Sequence, residues 1–459
     1  MPRFVRRSTM PVAAPALYAW HAAPGAFERL TPGWNPAHVR ARTGGIEAGS
    51  RVTLEVPALG GLLPQRWVVE HRDTIPGVRF RDVQLEGPFA RWEHLHRFEP
   101  GGDDASVLSD EIDWALPLGP LGQGVAGWYV ADLLARLFTW RHVRTALDLR
   151  RHAAVADRPR LAVAITGGTG MIGRALTHFL TGGGHRVRWI TRRPDAARGD
   201  IGWDPATGAI DHAALAGCDA IVHLAGANVG ERWTPTHKRA IRDSREQGTR
   251  TIARAIAAMA TKPRVLVSAS AVGLYGDTGD RVVDEASPPG PGFLGDVAQA
   301  WEREVAPARE AGVRTCLARI GVVVASEGGA LAKMLPAFRA GAGGPLGGGR
   351  QWMSWISLDD VVGALHHLLL HDECTGPYNL VAPEPVTNAE FAATLGRVLG
   401  RPALVPVPAF ALTALFGEMA RETILTGQRV RPRRLGEAGF DFAHPTLEAA
   451  LRFELGRLR

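Results

Sequence analysis

The densest chemistry in this sequence lies in Gly167-Gly168-Thr169-Gly170-Met171-Ile172-Gly173. Glycine at the first position permits a tight reversal. At the fourth it lets backbone N–H groups approach a phosphate, and at the seventh it lets a helix pack closely on a strand. The apolar run Leu161-Ala162-Val163-Ala164-Ile165 precedes the turn, and a helical pattern from Arg174 to Leu180 follows it. That order puts the positive end of a helix under an anion, as a dinucleotide pyrophosphate requires. The next strand, Arg186 to Thr191, runs into Arg192-Arg193-Pro194. A carboxylate there would bind a free ribose 2′-hydroxyl, whereas a guanidinium suits a 2′-phosphate through paired charge-assisted bonds. Thr191 and Arg192 therefore point to NADP(H) rather than NAD.

These residues need a frame to hold them. From residue 160 onward, apolar strands and helical stretches alternate, the order of a Rossmann-type α/β fold with a doubly wound parallel sheet. Asp219-Ala220-Ile221-Val222-His223 reads as the fourth strand, followed by the small-residue turn Leu224-Ala225-Gly226. The polar, proline-containing segment Arg150 to Arg160 separates this half from a different texture. Before it, Arg51–Val56, Gln65–Glu70, Val78–Gln84, Arg91–Phe98 and Ser106–Trp114 alternate with the period of antiparallel strands. In the last, Leu108, Ile112 and Trp114 share one face and Ser109, Glu111 and Asp113 the other. A long amphipathic helix is expected over about 125–149, with Val130, Leu133, Leu134, Leu137 and Leu147 on its apolar stripe. The expected divisions are 1–152, an α+β domain; 160–400, the dinucleotide domain; and 401–459, a small C-terminal domain. His94 and His96 project from one side of their strand with Trp92 and Phe98. With no third ligand at a readable spacing, they are taken as structural or cavity-lining, and no metal site is assigned.

Composition narrows the partners. The 459 residues are 46% hydrophobic and 22% charged, as in a globular protein. The formal charge is +7, yet the arginines are scattered and form no nucleic-acid module. Cys218, Cys316 and Cys374 form no CxxC pair, which argues against a disulfide scaffold or zinc ribbon and fits a reducing compartment. No run approaches the roughly 20 apolar residues of a membrane span, and the N-terminus lacks an apolar leader core. A cytoplasmic protein is expected, acting on a small molecule and not on nucleic acid, with a homodimer left open.

Further motifs recur in order: Leu224-Ala225-Gly226-Ala227-Asn228, Arg232-Trp233-Thr234, Ser244-Arg245, Ser268 to Gly276, Trp301-Glu302, Gly328-Gly329-Ala330-Leu331, Gly343 to Gly347, Gln351 to Ile356 and Asp359-Asp360. With the GxxGxxG spacing, residues 160 to 455 resemble an atypical extended short-chain dehydrogenase/reductase of the NAD-dependent epimerase/dehydratase superfamily. More narrowly, they resemble the subfamily carrying its own C-terminal domain of unknown function. The resemblance implies that Leu224, Ala225 and Gly226 pass beside the adenine ribose. It also implies that Arg245 lies near the cofactor and that Val322 lies beside the nicotinamide half. Residues 77–98 resemble the START-like, helix-grip (SRPBCC) superfamily, which implies a cavity for an apolar ligand.

The same resemblance exposes a departure. Active extended members carry a Tyr-x-x-x-Lys pair that exchanges a proton during hydride transfer. Phe293 and Val297 stand at those positions. Ser270 (or Ser268) and Tyr275 are the candidate catalytic groups left, with Lys238 a further proton donor. Hydride transfer to an acceptor needing no protein acid is a fourth route. The expected function is an NADP(H)-binding oxidoreductase or epimerase-like enzyme. The alternative is a non-catalytic NADP(H)-binding sensor.

Overall fold

A computed structural model of the chain describes residues 2–58 and 63–458. The chain divides into two compact units. One comprises residues 1–157, 181–184 and 453–459, the other residues 158–180 and 185–452.

The first unit opens with β1 (Arg3–Met10), α1 (Ala14–Ala22) and α2 (Ala26–Arg29). Six strands follow: β2 (His38–Thr43), β3 (Arg51–Ala58), β4 (Leu63–Ile75), β5 (Arg79–Glu86), β6 (Arg91–Gly102) and β7 (Ala105–Ala115). It then continues into α3 (Gly119–Ala153). The seven strands form one antiparallel sheet in the order β1-β7-β6-β5-β4-β3-β2. The five expected strands and the long helix are all present. The helix starts earlier than its apolar stripe because Pro120 sits in its first turn, where its missing N–H costs no hydrogen bond. Strands β1 and β2 escape a hydrophobic reading because their outward positions are arginine-rich; Arg3 and Arg7 of β1 pair with Glu111 and Glu99.

One face of this sheet carries two apolar clusters. Trp92, Ile112, Trp114, Leu134 and Phe138 form one, while Met10, Leu17, Trp20, Phe80, Phe98, Leu108 and Leu149 form the other. Asp110 shares the inner side with Leu108 and Ile112 and is buried, as are His94, His96 and His142. The alternation of β7 thus hides a core carboxylate among apolar neighbours. Elsewhere in the unit Arg29 grips Asp148 of α3 through two bonds of 2.7 and 2.6 Å, with both side chains buried.

The second unit begins with β8 (Ala162–Thr166), α4 (Met171–Gly182), β9 (Arg186–Thr191), β10 (Ile201–Asp204), β11 (Ala209–Ile210), α5 (His212–Leu215) and β12 (Ala220–His223). It continues with α6 (Pro235–Ala258), β13 (Val265–Ala271), β14 (Val282–Val283), α7 (Phe293–Arg303), α8 (Ala306–Glu310), β15 (Arg314–Ile320), β16 (Val322–Val324) and α9 (Gly329–Arg339). The rest is β17 (Trp352–Met353), β18 (Trp355–Ser357), α10 (Leu358–Leu370), β19 (Gly376–Leu380), β20 (Val386–Thr387), α11 (Asn388–Leu399), α12 (Ala409–Phe416), β21 (Arg429–Val430), α13 (Arg433–Glu437) and the start of α14 (Leu447–Glu454).

Its main sheet has the order β11-β10-β9-β8-β12-β13-β15-β19 and is parallel except at β11. The central strands are apolar on both faces, as burial under helices on both sides demands; Val163, Ala164, Ile165, Ile221, Val222 and Leu266 are almost wholly buried. Strand order reverses between β8 and β12, the position where such sheets open a ligand crevice. Residues 401–452 belong to this unit, and β21 pairs with β14. The glycine-rich segment after Gly341 is itself paired, since Val405 and Val407 donate N–H bonds to the Gly343 and Pro345 carbonyls. Thr387 and Glu390 form the capping box that opens α11. Among the described residues no helix is long and apolar enough to cross a membrane.

The Arg29–Asp148 pair sets a test of the first unit. Asp148→Ala takes from the buried Arg29 guanidinium the carboxylate that accepts two of its bonds, and is expected to lower the unfolding free energy by about 3–5 kcal/mol. Urea unfolding followed by near-UV circular dichroism reads it; a change below about 1 kcal/mol would contradict it.

Candidate dinucleotide site

At the reversal of strand order the ends of β8 and β12 meet. Gly167 takes φ +70°, and a Cβ there would sit 3.0 Å from the Leu224 carbonyl carbon and 3.1 Å from the Ala225 nitrogen. The turn must therefore be glycine, both for its backbone angle and for this approach. Gly173 is needed for a different reason. A Cβ on it would come within 2.2 Å of the Gly167 oxygen, closing the gap between turn and helix. Thr169 and Gly170 are exposed, and Met171 begins α4. The first-turn N–H groups of the helix, those of Met171 and Ile172 among them, have no acceptor within the helix and are the groups that can meet an anion.

Thr166 ties the two strand ends together. Its Oγ accepts N–H bonds from Leu224 at 3.0 Å and Ala225 at 3.1 Å, and donates to His223 Nδ1 at 2.8 Å. Burial holds the His223 imidazole neutral, its pKa pushed down to about 4, with the Arg245 charge adding to the effect. Gly226 lies against the Arg245 guanidinium, which donates to the Ala227 and Ile241 carbonyls, each at 3.1 Å. Ser244 Oγ accepts the Ala227 N–H. Arg245 stacks over Trp301 at 5.0 Å, and its burial lowers its pKa to about 10. No carboxylate pairs with it among the described residues. A largely buried guanidinium without a counter-charge at a crevice suits an anionic ligand.

At the end of β9, Thr191 is half-buried and Arg192 and Arg193 are exposed. Neither arginine is tied to a carboxylate among the described residues, in contrast to Arg198, which pairs with Asp200 at 2.7 Å and stacks over Trp189 at 5.0 Å. Across the crevice, Val322 donates its N–H to the Ser354 carbonyl at 2.8 Å. The following loop reaches the glycine turn, because a Cβ on Gly328 would lie 2.9 Å from Met171 Sδ. The structure thus joins Gly167–Gly173, Leu224–Gly226 and Arg245 into one site and links the segment after Val322 to it. It leaves Arg192 at the exposed strand end. Thr166 and His223 were missed by sequence reasoning; a polar pair at facing ends of two apolar strands was the available signal.

The candidate proton donors are held differently. Ser270 is 3% exposed and donates to Glu302 Oε1 at 2.7 Å. Ser268 is fully buried and donates to a backbone carbonyl. Tyr275, 0% exposed, donates to Asn379 Oδ1 at 2.8 Å and accepts from Arg319 Nη1 at 2.9 Å. Arg319 in turn grips both oxygens of Glu302, at 2.7 and 2.8 Å. Ser270, Glu302, Arg319, Tyr275 and Asn379 are one internal network, and burial raises the Tyr275 pKa. Phe293 and Val297 belong to an apolar cluster with Trp233, Ile241 and Met419. Lys238 lies 4.4 Å from the Phe293 ring centre and pairs with Glu418 at 2.6 Å.

Thr166→Val removes the acceptor of the Ala225 N–H and the nearer of two acceptors of the Leu224 N–H at nearly constant volume, a loss of about 1–3 kcal/mol at the turn. Dinucleotide affinity measured by fluorescence titration is expected to fall about tenfold or more, with the fold kept; unchanged affinity would contradict this role. The His223 shift adds a pH dependence. Between pH 6.5 and 4 the unfolded chain binds a proton that folded His223 refuses, so its contribution is full above 6.5 and is lost as pH falls towards 4. Hydrogen exchange of the β8 and β12 amides, corrected for intrinsic rates, should show protection declining over that window. Flat protection would refute it.

Comparison with known proteins agrees with this geometry. Residues 163–380 match the NAD dependent epimerase/dehydratase family, and residues 407–454 match the domain of unknown function DUF1731. An epimerase family protein of Mycobacterium leprae is 44% identical over 299 residues, covering 65% of this chain and 97% of its own. Human epimerase family protein SDR39U1 has a crystal structure with NADPH. It is 37% identical with a TM-score of 0.59, and the match covers 65% of this chain and 100% of that one. A nucleoside-diphosphate sugar epimerase of Corynebacterium glutamicum, also known from a crystal structure, is 31% identical with a TM-score of 0.80 and covers 99% of this chain and 90% of its own. The chain belongs to the NAD dependent epimerase/dehydratase family, with the SDR39U1-like arrangement of a Rossmann-type domain followed by a DUF1731 domain.

Proposed function

We propose that the second unit binds NADP(H) and that the chain is an oxidoreductase or epimerase-like enzyme working without the Tyr-x-x-x-Lys pair. The observation that carries this reading is the glycine turn at the sheet's reversal point, with Arg192 and Arg193 uncommitted at the end of β9. The NADPH held by the 37%-identical human relative supports the same cofactor. When bound, the cofactor supplies or accepts a hydride. Residues 167–173 and 224–226 hold and orient it, and Arg245 offers positive charge beside it. Ser270 and Tyr275 act as positioning residues through their network, and the carbonyl oxygen of a reduced substrate takes its proton from solvent. The first unit, with its seven-stranded sheet and long α3, is a helix-grip domain that takes an apolar ligand.

One observation favours a second reading, a sensor that binds NADP(H) without turnover. Every hydroxyl and amine proposed as a proton donor is already bonded or buried, and the tyrosine position is an apolar cluster. An NADPH oxidation screen across carbonyl compounds separates the two. Turnover that survives in Tyr275→Phe supports the enzyme reading; binding without oxidation of NADPH by any acceptor supports the sensor.

The cofactor assignment has its own test. Replacing Arg192 and Arg193 by Ala should weaken NADPH by at least about tenfold while leaving NADH affinity within about twofold. Equal losses for both cofactors would overturn the 2′-phosphate assignment.

A further inference from the structure

The first unit holds a group of side chains that the dinucleotide site does not use. Asp82 of β5 lies opposite His94 in the antiparallel register with β6, and His96 follows two residues on. Asp82 Oδ2 is 3.7 Å from His94 Nδ1 and 3.4 Å from His96 Nε2. The group offers one ligand atom per residue, all within 4.8 Å of one another. Such separations are long for N–H···O bonds. They match the edges of a coordination shell, since donors about 2.1 Å from one ion at tetrahedral angles stand about 3.4 Å apart.

The opposite sides of His94 and Asp82 are hydrogen-bonded as those of metal ligands usually are, and that of His96 faces a carboxylate. His94 Nε2 donates to Asp110 Oδ1 at 2.8 Å, and His96 Nδ1 lies 2.7 Å from the same oxygen. Asp110 Oδ2 accepts from His142 Nε2 at 2.6 Å, and His142 Nδ1 meets Ser8 Oγ at 2.8 Å. Asp82 Oδ1 accepts from His71 Nδ1 at 2.6 Å. A carboxylate behind a ligating imidazole fixes the ring and leaves the front nitrogen its lone pair. Packing fixes the rings as well: His96 stacks on Phe80 at 4.2 Å, and His94 meets Phe138 edge-on at 5.1 Å. No Lys or Arg pairs with either carboxylate among the described residues, so their countercharge comes from the surrounding histidines or from a bound cation. Both imidazoles are buried, but the Asp82 side chain is 19% exposed, which gives an ion a way in.

We infer that Asp82, His94 and His96 form a binding site for one divalent transition-metal ion of the class that imidazole and carboxylate ligands select, with Asp110 and His71 orienting those ligands. The site is separate from the dinucleotide crevice in sequence and in unit.

The test uses the full chain, stripped with a chelator and titrated with Zn²⁺ and, separately, Co²⁺. The inference expects about one tight Zn²⁺ per chain and Co²⁺ visible bands of a low-coordinate nitrogen and oxygen field. Asp82→Asn, His94→Gln and His96→Gln should each weaken Zn²⁺ by about 100-fold or more, and Asp110→Asn by about 10–100-fold, with NADPH affinity unchanged. Zn²⁺ affinity that is the same in wild type and in Asp82→Asn would overturn the site, leaving a proton-bridged cluster. Because a core variant can fail to fold, the wild-type Co²⁺ spectrum decides independently: a spectrum of the aqueous ion overturns the inference without any variant.

Discussion

The crevice depends on one close approach, that of the backbone after β8 to the backbone after β12. Gly167 lies so near Leu224 and Ala225 that no side chain fits, and the Thr166 hydroxyl accepts the Ala225 N–H and shares the Leu224 N–H with the Thr166 carbonyl. Buried amides without partners are costly, so this hydroxyl is what lets two parallel strand ends diverge around a ligand. The third contributor, His223, must stay neutral to accept the Thr166 proton, and burial keeps it so. Glycine, threonine and histidine thus act as one unit. The Gly167–Gly173 turn, the Leu224–Gly226 turn and Arg245 are arranged around it.

The far side of the site obeys a different constraint. An extended enzyme of this family type would keep an acidic phenol and an ammonium within reach of the nicotinamide. Here that helix presents Phe293 and Val297 to Trp233 and Met419, and the ammonium of Lys238, beside the Phe293 ring, is paired with Glu418. The phenol that remains, Tyr275, bridges Asn379 and Arg319 deep in the fold. The cofactor half is preorganised, while the polar groups of the other half hold β13, β15 and β19 in register.

The two units were legible to different degrees. The glycine turn could be read because strand, turn and helix are contiguous, and the end of β9 because Arg192 directly follows its strand. The strands of the first unit showed through their alternation, and α3 through its apolar stripe. What could not be read was anything made by neighbours in space. Asp82 and Asp110 sit on strands either side of His94 and His96, so the pair looked as if it lacked a third ligand. Asp110 was hidden further by Leu108 and Ile112 around it. Ser270 and Tyr275 looked reactive because residue type shows a hydroxyl and not whether that hydroxyl is already bonded. Their partners, Glu302, Asn379 and Arg319, lie 32 to 104 residues away.

In the proposed complex NADP(H) lies across the reversal of the sheet, with its phosphates on the glycine turn and its 2′-phosphate at the end of β9. A crystal structure of the chain with NADP⁺ tests this most directly. Pyrophosphate oxygens are expected within hydrogen-bond distance of the N–H groups of residues 171 and 172, and the 2′-phosphate within reach of Arg192 or Arg193. A dinucleotide bound away from Gly167–Gly173, or one whose 2′-phosphate meets only solvent, would contradict it.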